Sequence, residues 1–132
     1  METSWAKHLD KIVDMIADGV TIVDGKCRFE FVNESAARML GGPRSEILGR
    51  SCHDPRWRIT TPDGAPFPQD RLACAVAIST AEPVSGIEYR IERPDRTSIV
   101  LSASAHPIFD EDGSVAGAIT CFTDITRRGK AR

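Results

Sequence analysis

The residues of this chain able to do chemistry near neutral pH are few: Cys27, Cys52, Cys74 and Cys121, the histidines His8, His53 and His106, and scattered acids. Thiolate and imidazole are the right donors for zinc or iron, which makes Cys52, His53 and Cys74 the candidate metal set. Their spacing argues against it. No Cys-x-x-Cys pair of a zinc or redox centre is present, and adjacent residues such as Cys52 and His53 rarely turn to one ion. The four thiols are therefore read as small buried hydrophobes, and no metal site is expected. Nor is a disulfide framework, in a chain with an adequate core of its own.

Catalysis finds no better footing. No nucleophile is paired with a base, no glycine-rich loop is set to cradle phosphates, and no two carboxylates have a catalytic spacing. Asp10 and Asp14 share a helix face, where such a pair is a solvated surface. The expectation is a non-catalytic domain, with no catalytic residue.

The chain has 132 residues, 41% of them hydrophobic, which is the size and composition of one domain with a sizeable core. Lysine plus arginine number 17 against 19 acids, and the net charge of -2 offers no field to draw nucleic acid or an anionic membrane. No apolar run approaches the ~20 residues of a membrane span, and the opening Met1-Glu-Thr-Ser-Trp5 lacks the pattern of a secretory leader. A cytoplasmic setting is expected, with neither nucleic acid nor membrane as partner.

The elements that must position these residues follow from periodicity. From Gly86 to Thr126 apolar residues alternate with polar ones at Ile87, Tyr89 and Ile91 and again at Ile99, Leu101, Ala103 and Ala105. That is the period of strands with one covered face, and turns at Pro94-Asp95-Arg96 and Asp110 to Gly113 make three antiparallel strands. Gly19 to Gly25 and Arg28 to Asn33 flank Asp24-Gly25-Lys26 and predict a hairpin. Asn33 is placed to cap a helix from Glu34 to Leu40, ended by Gly41-Gly42, and Ser45 to cap a short turn from Glu46 to Gly49. Residues 50–68 hold four prolines and predict a loop pinned by Trp57 and Phe67. Gln69 to Thr80 reads as a helix with an apolar stripe of Leu72, Ala73, Val76 and Ala77.

At the amino end, Trp5, Leu9, Ile12 and Ile16 recur at steps of four and three, giving an amphipathic helix with a narrow seam. Two roles stay open for it: packing on its own domain, or pairing two copies of the chain. The division is a helix over 1–18, a domain over 19–126, and a basic tail or start of a linker over 127–132. The fold class is α+β: a five-stranded antiparallel sheet covered on one face by short helices, plus the amino-terminal helix.

With the elements in that order, the chain resembles the PAS sensor domains over about residues 12–126. The likeness is carried by Ile16-Ala-Asp-Gly-Val-Thr-Ile-Val-Asp24, Phe31-Val-Asn-Glu-Ser-Ala-Ala37, Glu46-Ile-Leu-Gly49, Pro62-Asp-Gly64, Ala81-Glu-Pro-Val84, Pro107-Ile-Phe-Asp110 and Phe122-Thr-Asp-Ile-Thr126. One departure is Arg96, where members often have glycine after Pro-Asp; a turn without positive φ is the expectation there.

The resemblance implies a sensory and dimerisation module of a larger bacterial signalling protein, such as a histidine kinase, a cyclic-nucleotide-signalling enzyme or a transcriptional regulator. It implies a homodimer, an output domain elsewhere in the parent chain, and a signal junction at Asp124 and Thr126 between the last strand and whatever follows. The enclosed pocket would be lined by Leu72, Val76, Tyr89, Ile91, Leu101, Ala103 and Phe122. It either holds a small, mainly apolar guest or is filled by side chains, the guest-free alternative.

Cofactors of the family fit poorly. Flavin photosensors of the light-oxygen-voltage kind carry a cysteine in a run like Gly-Arg-Asn-Cys-Arg-Phe-Leu-Gln; Gly49-Arg50-Ser51-Cys52-His53-Asp54 stops matching at the cysteine. Registering the strands on their Pro-Ile and Asp-Ile-Thr landmarks sets apolar Ile91, Leu101 and Phe122 where a buried flavin needs polar partners. Haem sensors ligate iron through a histidine on the long helix, and Gln69 to Thr80 has none. No cofactor is expected.

Overall fold

A computed structural model describes residues 8–126. Trp5 and the basic segment 127–132 lie outside the described residues. Six strands form one antiparallel sheet in the order β2-β1-β6-β5-β4-β3. They are β1 (Gly19–Asp24), β2 (Phe29–Val32), β3 (Arg58–Thr60), β4 (Val84–Glu92), β5 (Ser98–Phe109) and β6 (Val115–Asp124). The helices are α1 (Leu9–Asp14), α2 (Glu34–Leu40), α3 (Arg44–Ile47) and α4 (Ala73–Thr80). The first and last strands are neighbours at mid-sheet, with Gly19 opposite Phe122 and Asp24 opposite Gly117. Gly117 has to be glycine, because a Cβ there would run into the Val23 carbonyl.

The alternation expected for the carboxy-terminal strands is the one observed. Ile99, Leu101, Ala103 and Ala105 are buried on β5, while Val100, Ser102 and Ser104 between them are only half-buried. α4 lies across β5 and β6, and α2 lies against β1. The core is the layer between, from Val23 and Phe29 through Leu40 and Ile47 to Leu101 and Phe122. Asn33 does cap α2, its Oδ1 accepting from the Ala36 amide at 2.8 Å. Gly41 ends that helix in the left-handed region at φ 83, the conformation glycine adopts at least cost.

Several expectations are corrected. The sheet has a sixth strand: β3, inside the stretch read as a loop, pairs Arg58, Ile59 and Thr60 with Glu92, Ile91 and Arg90. Three residues between prolines carry no period of their own, so only the open edge of β4 makes them a strand. The loop is otherwise pinned as expected, Trp57 being buried with its Nε1–H donating to the Leu40 carbonyl at 2.8 Å. Ser45 caps nothing; α3 begins at Arg44 after Pro43, whose fixed φ of −70 sets the turn into it. The Gln69 to Thr80 helix is broken: a 3-10 turn over Gln69–Arg71 ends at Leu72, which is extended at ψ 146, and α4 begins afresh. That break resets the helical phase, so Ala73, Cys74 and Ala77 face the sheet and Val76 is only half-buried.

Arg96 is the last correction. Its φ is 75, so the arginine sits in the left-handed region after all. The loop is closed by Arg96 N–H to the Arg93 carbonyl and by Arg93 N–H to the Thr97 carbonyl. The same pair of bonds recurs at Asp24 to Arg28, Thr61 to Ala65 and Asp110 to Ser114. In each the fourth residue is left-handed: Cys27, Gly64, Arg96 and Gly113. Twisted strands joined by three-residue loops require that conformation. Glycine supplies it without strain at two of the positions only.

Candidate functional site

The sheet and the helices enclose a cavity of about 40 Å3, room for a water molecule or a guest of a few heavy atoms. Of the pocket residues expected from the sequence, Leu72, Tyr89, Ile91, Leu101 and Phe122 line it. Val76 does not, because α4 is turned away from the expected phase, and Ala103, fully buried, is not among the lining residues. Trp57 and Ile59 complete the wall from the segment around β3, and Cys52 and Cys74 from the helical side. Phe29 meets Trp57 edge-on at 5.7 Å between ring centres, which closes that end.

Two polar residues in the wall escaped the sequence reading. Thr21 and Thr120 face one another across β1 and β6, and both are buried. Among the described residues Thr120 Oγ1 has no hydrogen-bond partner, a state that costs free energy in an apolar surround. An alternating strand hides such residues, because threonine is at home on either face. Tyr89 brings the other hydroxyl of the wall, and burial pushes its pKa up, so it stays a neutral phenol.

The cysteines lie at wide intervals along the chain, and the fold gathers three of them. Cys27 ends the β1–β2 loop, Cys52 follows α3, and Cys74 lies in the first turn of α4. Cys52 Sγ and Cys74 Sγ are 3.6 Å apart, and donor atoms of Cys27, Cys52 and His53 all lie within 4.8 Å of one another. All three thiols are buried, while His53 is half-buried at the edge. Hydrogen bonds from the Cys52 and then the Cys74 thiol draw the Cys27 thiol down, and sharing protons with Cys27 and Cys74 pushes the buried Cys52 thiol up. Cys121 stands apart, exposed on β6.

At the end of β6 the expected junction residues make a small latch. Asp124 Oδ1 accepts from the Thr126 amide at 2.9 Å, and Thr126 Oγ1 accepts from the Val100 amide at 2.8 Å. Between them Ile125 is buried, its amide donating to the Val100 carbonyl at 2.9 Å. At the other end of the chain, α1 contains Leu9 and Ile12, with Ile16 two residues beyond it. Ile12 and Ile16 are 46% and 43% exposed and Met15 is 85% exposed, so apolar surface remains open on that segment. The Asp14 carboxylate, beside it, accepts from the Glu34 amide and pairs with Arg44 at 3.1 Å. Among the described residues, no helix is long and apolar enough to cross a membrane.

The sequence profile described as "PAS domain" matches residues 17–127. No curated protein matches in sequence. Among solved structures, a PAS domain from Colwellia psychrerythraea superposes with a TM-score of 0.73 at 19% identity, covering 95% of this chain and 100% of that one. An RNA-binding light-oxygen-voltage receptor gives 0.75 at 21% identity, over 95% of this chain and 34% of the other. A PAS domain from a two-component sensor histidine kinase gives 0.68 at 12% identity, over 91% and 96%. At these identities the structural likenesses establish the fold.

Proposed function

The chain belongs to the PAS domain family, and from that premise we propose that it is the sensory and dimerisation module of a larger bacterial signal-transduction protein, a sensor histidine kinase being the first choice of parent. The observation that carries this reading lies on one strand: Thr120 and Phe122 of β6 line the cavity, and Asp124, two residues on, begins the latch to Val100. A guest that shifts Phe122 shifts the strand whose end the latch holds. A latch of two hydrogen bonds, each worth about 1 kcal/mol net, is within reach of the differential affinity of a small ligand. The guest would be small and mainly apolar, with one polar group for Thr120. The output is a change in how two copies pair through the apolar residues of the Leu9 to Ile16 segment. Catalysis is left to other parts of the parent protein.

The small volume of the cavity favours a second reading, a guest-free pairing module that keeps the dimer and drops the ligand. Two measurements separate the readings. A thermal-shift and native mass-spectrometry screen of small apolar alcohols and ketones is expected to find a binder, and a blank screen leaves the guest-free module. Sedimentation equilibrium of Ile12→Asp beside the parent is expected to show weakened self-association. Equal association constants remove the pairing role from both readings.

A further inference from the structure

We propose that Cys27, Cys52 and Cys74, with His53 as fourth donor, form a site for a zinc-class divalent cation. The donors come from a hairpin loop, a turn and a helix. Donor atoms of Cys27, Cys52 and His53 already lie within 4.8 Å of one another. Cys74 adjoins the group through Cys52, so binding has to draw its sulfur in to complete the set. The Cys52–Cys74 sulfur separation of 3.6 Å is close to the roughly 3.8 Å edge of a tetrahedron with about 2.3 Å metal–sulfur bonds. Thiolates with an imidazole are the donors that select zinc among the divalent ions abundant around proteins.

Cys27 is held there against its own backbone preference. It is left-handed at φ 64, a conformation that a side chain makes costly and that glycine takes freely in the sister loops ending at Gly64 and Gly113. The Cys52 amide donates to the Cys27 carbonyl at 2.8 Å, which fixes the two residues to one another before any ion arrives. Adjacency of Cys52 and His53 is no obstacle, because they lie in a turn closed by the Asp54 amide on the Ser51 carbonyl at 3.0 Å. Only in an extended strand are neighbouring side chains sent to opposite faces. Both ring nitrogens of His53 are 3.9 Å from Cys52 Sγ, and rotation of the ring turns either one to the ion. His53 also borders a hollow of about 90 Å3 with Gln69 and Phe67, which leaves the ring room to turn. Binding exchanges the thiol protons for the metal: each Cys–SH gives up its proton to solvent as its sulfur joins the cation.

The test uses the full chain, reduced and stripped with chelator, and titrates Co2+ alone before displacing it with Zn2+. The expected result is one Co2+ per chain, with intense visible bands of a four-coordinate thiolate site and a sulfur-to-cobalt charge-transfer band, bleached by Zn2+. Cys27→Gly is the decisive variant, since glycine suits the left-handed loop and the fold is retained; circular dichroism verifies it. It is expected to lose part of the charge-transfer intensity and to weaken Zn2+ binding by more than the roughly 100-fold that loss of an outer partner causes. His53→Ala is expected to change the visible bands, and Cys121→Ser to leave everything as in the parent. Absence of the charge-transfer band in the parent, or a Cys27→Gly chain that binds Zn2+ as the parent does, overturns the site. An unaltered His53→Ala spectrum overturns the fourth donor.

Discussion

Asn33 Nδ2 donates to the Val13 carbonyl at 2.9 Å, tying the first helix to the start of the second across twenty residues of chain. The same amide group donates to the Asp18 carbonyl, and its oxygen accepts from the amides of Val20 and Ala36. One fully buried side chain thus joins α1, β1 and α2. Asn33→Ala strands a set of buried backbone groups and is expected to destabilise the domain by about 2–4 kcal/mol, measured by urea unfolding. Amide exchange over residues 13–18 should rise with it. A loss below about 0.5 kcal/mol contradicts the role, being the size of an ordinary surface change.

Acid should loosen the same corner first. The Glu34 amide, and then the Arg44 guanidinium, hold the Asp14 carboxyl below its ordinary value of 3.8. A carboxyl depressed in the folded state adds stability above its unfolded pKa and loses it as pH falls through the folded one. The Asp14 contribution is therefore full from about pH 5 upward and fades below 3.8. A nuclear magnetic resonance titration of the Glu34 amide should show a step below that value. Asp14→Asn should abolish the step and cost about 0.2–1 kcal/mol at neutral pH, the usual worth of an exposed ion pair.

Arg96→Gly should stabilise the protein. The arginine bears a left-handed φ of 75 with no compensating ion pair among the described residues. Glycine removes a strain of about 1–2 kcal/mol and gives back part of it as unfolded-chain entropy. A net gain of about 0.5–1 kcal/mol in thermal unfolding is expected; a loss would show that the side chain holds the loop in a way the backbone does not reveal.

Thr120→Val separates an idle hydroxyl from a working one. Its Oγ1 is buried without a partner among the described residues, so exchange for an isosteric methyl should leave the guest-free protein equally stable or slightly more so. A guest found by the screen should bind the variant about tenfold more weakly, the worth of one neutral hydrogen bond. Isothermal titration of parent and variant with the same guest gives the ratio, and equal affinities place the guest elsewhere.

Much of this architecture could be read from the chain, because strand period and turn chemistry are local. The run Ile99, Leu101, Ala103, Ala105 declares its buried face, and Asp112-Gly113 its turn. β3 was illegible since Arg58 to Thr60 become a strand only by pairing with Glu92 to Arg90. The phase of α4 was lost at Leu72, where a single extended residue separates two helical pieces and exchanges Val76 for Cys74 on the buried face. The thiol cluster was beyond reach for a different reason. Its members sit at wide sequence intervals, and only the hairpin folding back over the helical segment brings them together. A left-handed cysteine at position 27 would have been the one clue, and a sequence shows no φ.

The side-by-side placement of the first and last strands has a mechanical consequence. With Gly19 opposite Phe122, the chain enters and leaves the sheet at the same end of one antiparallel pair. A pull on the two flanks bears on the outermost rung of that ladder first, and the rungs yield in succession as in a zipper, never all together in shear.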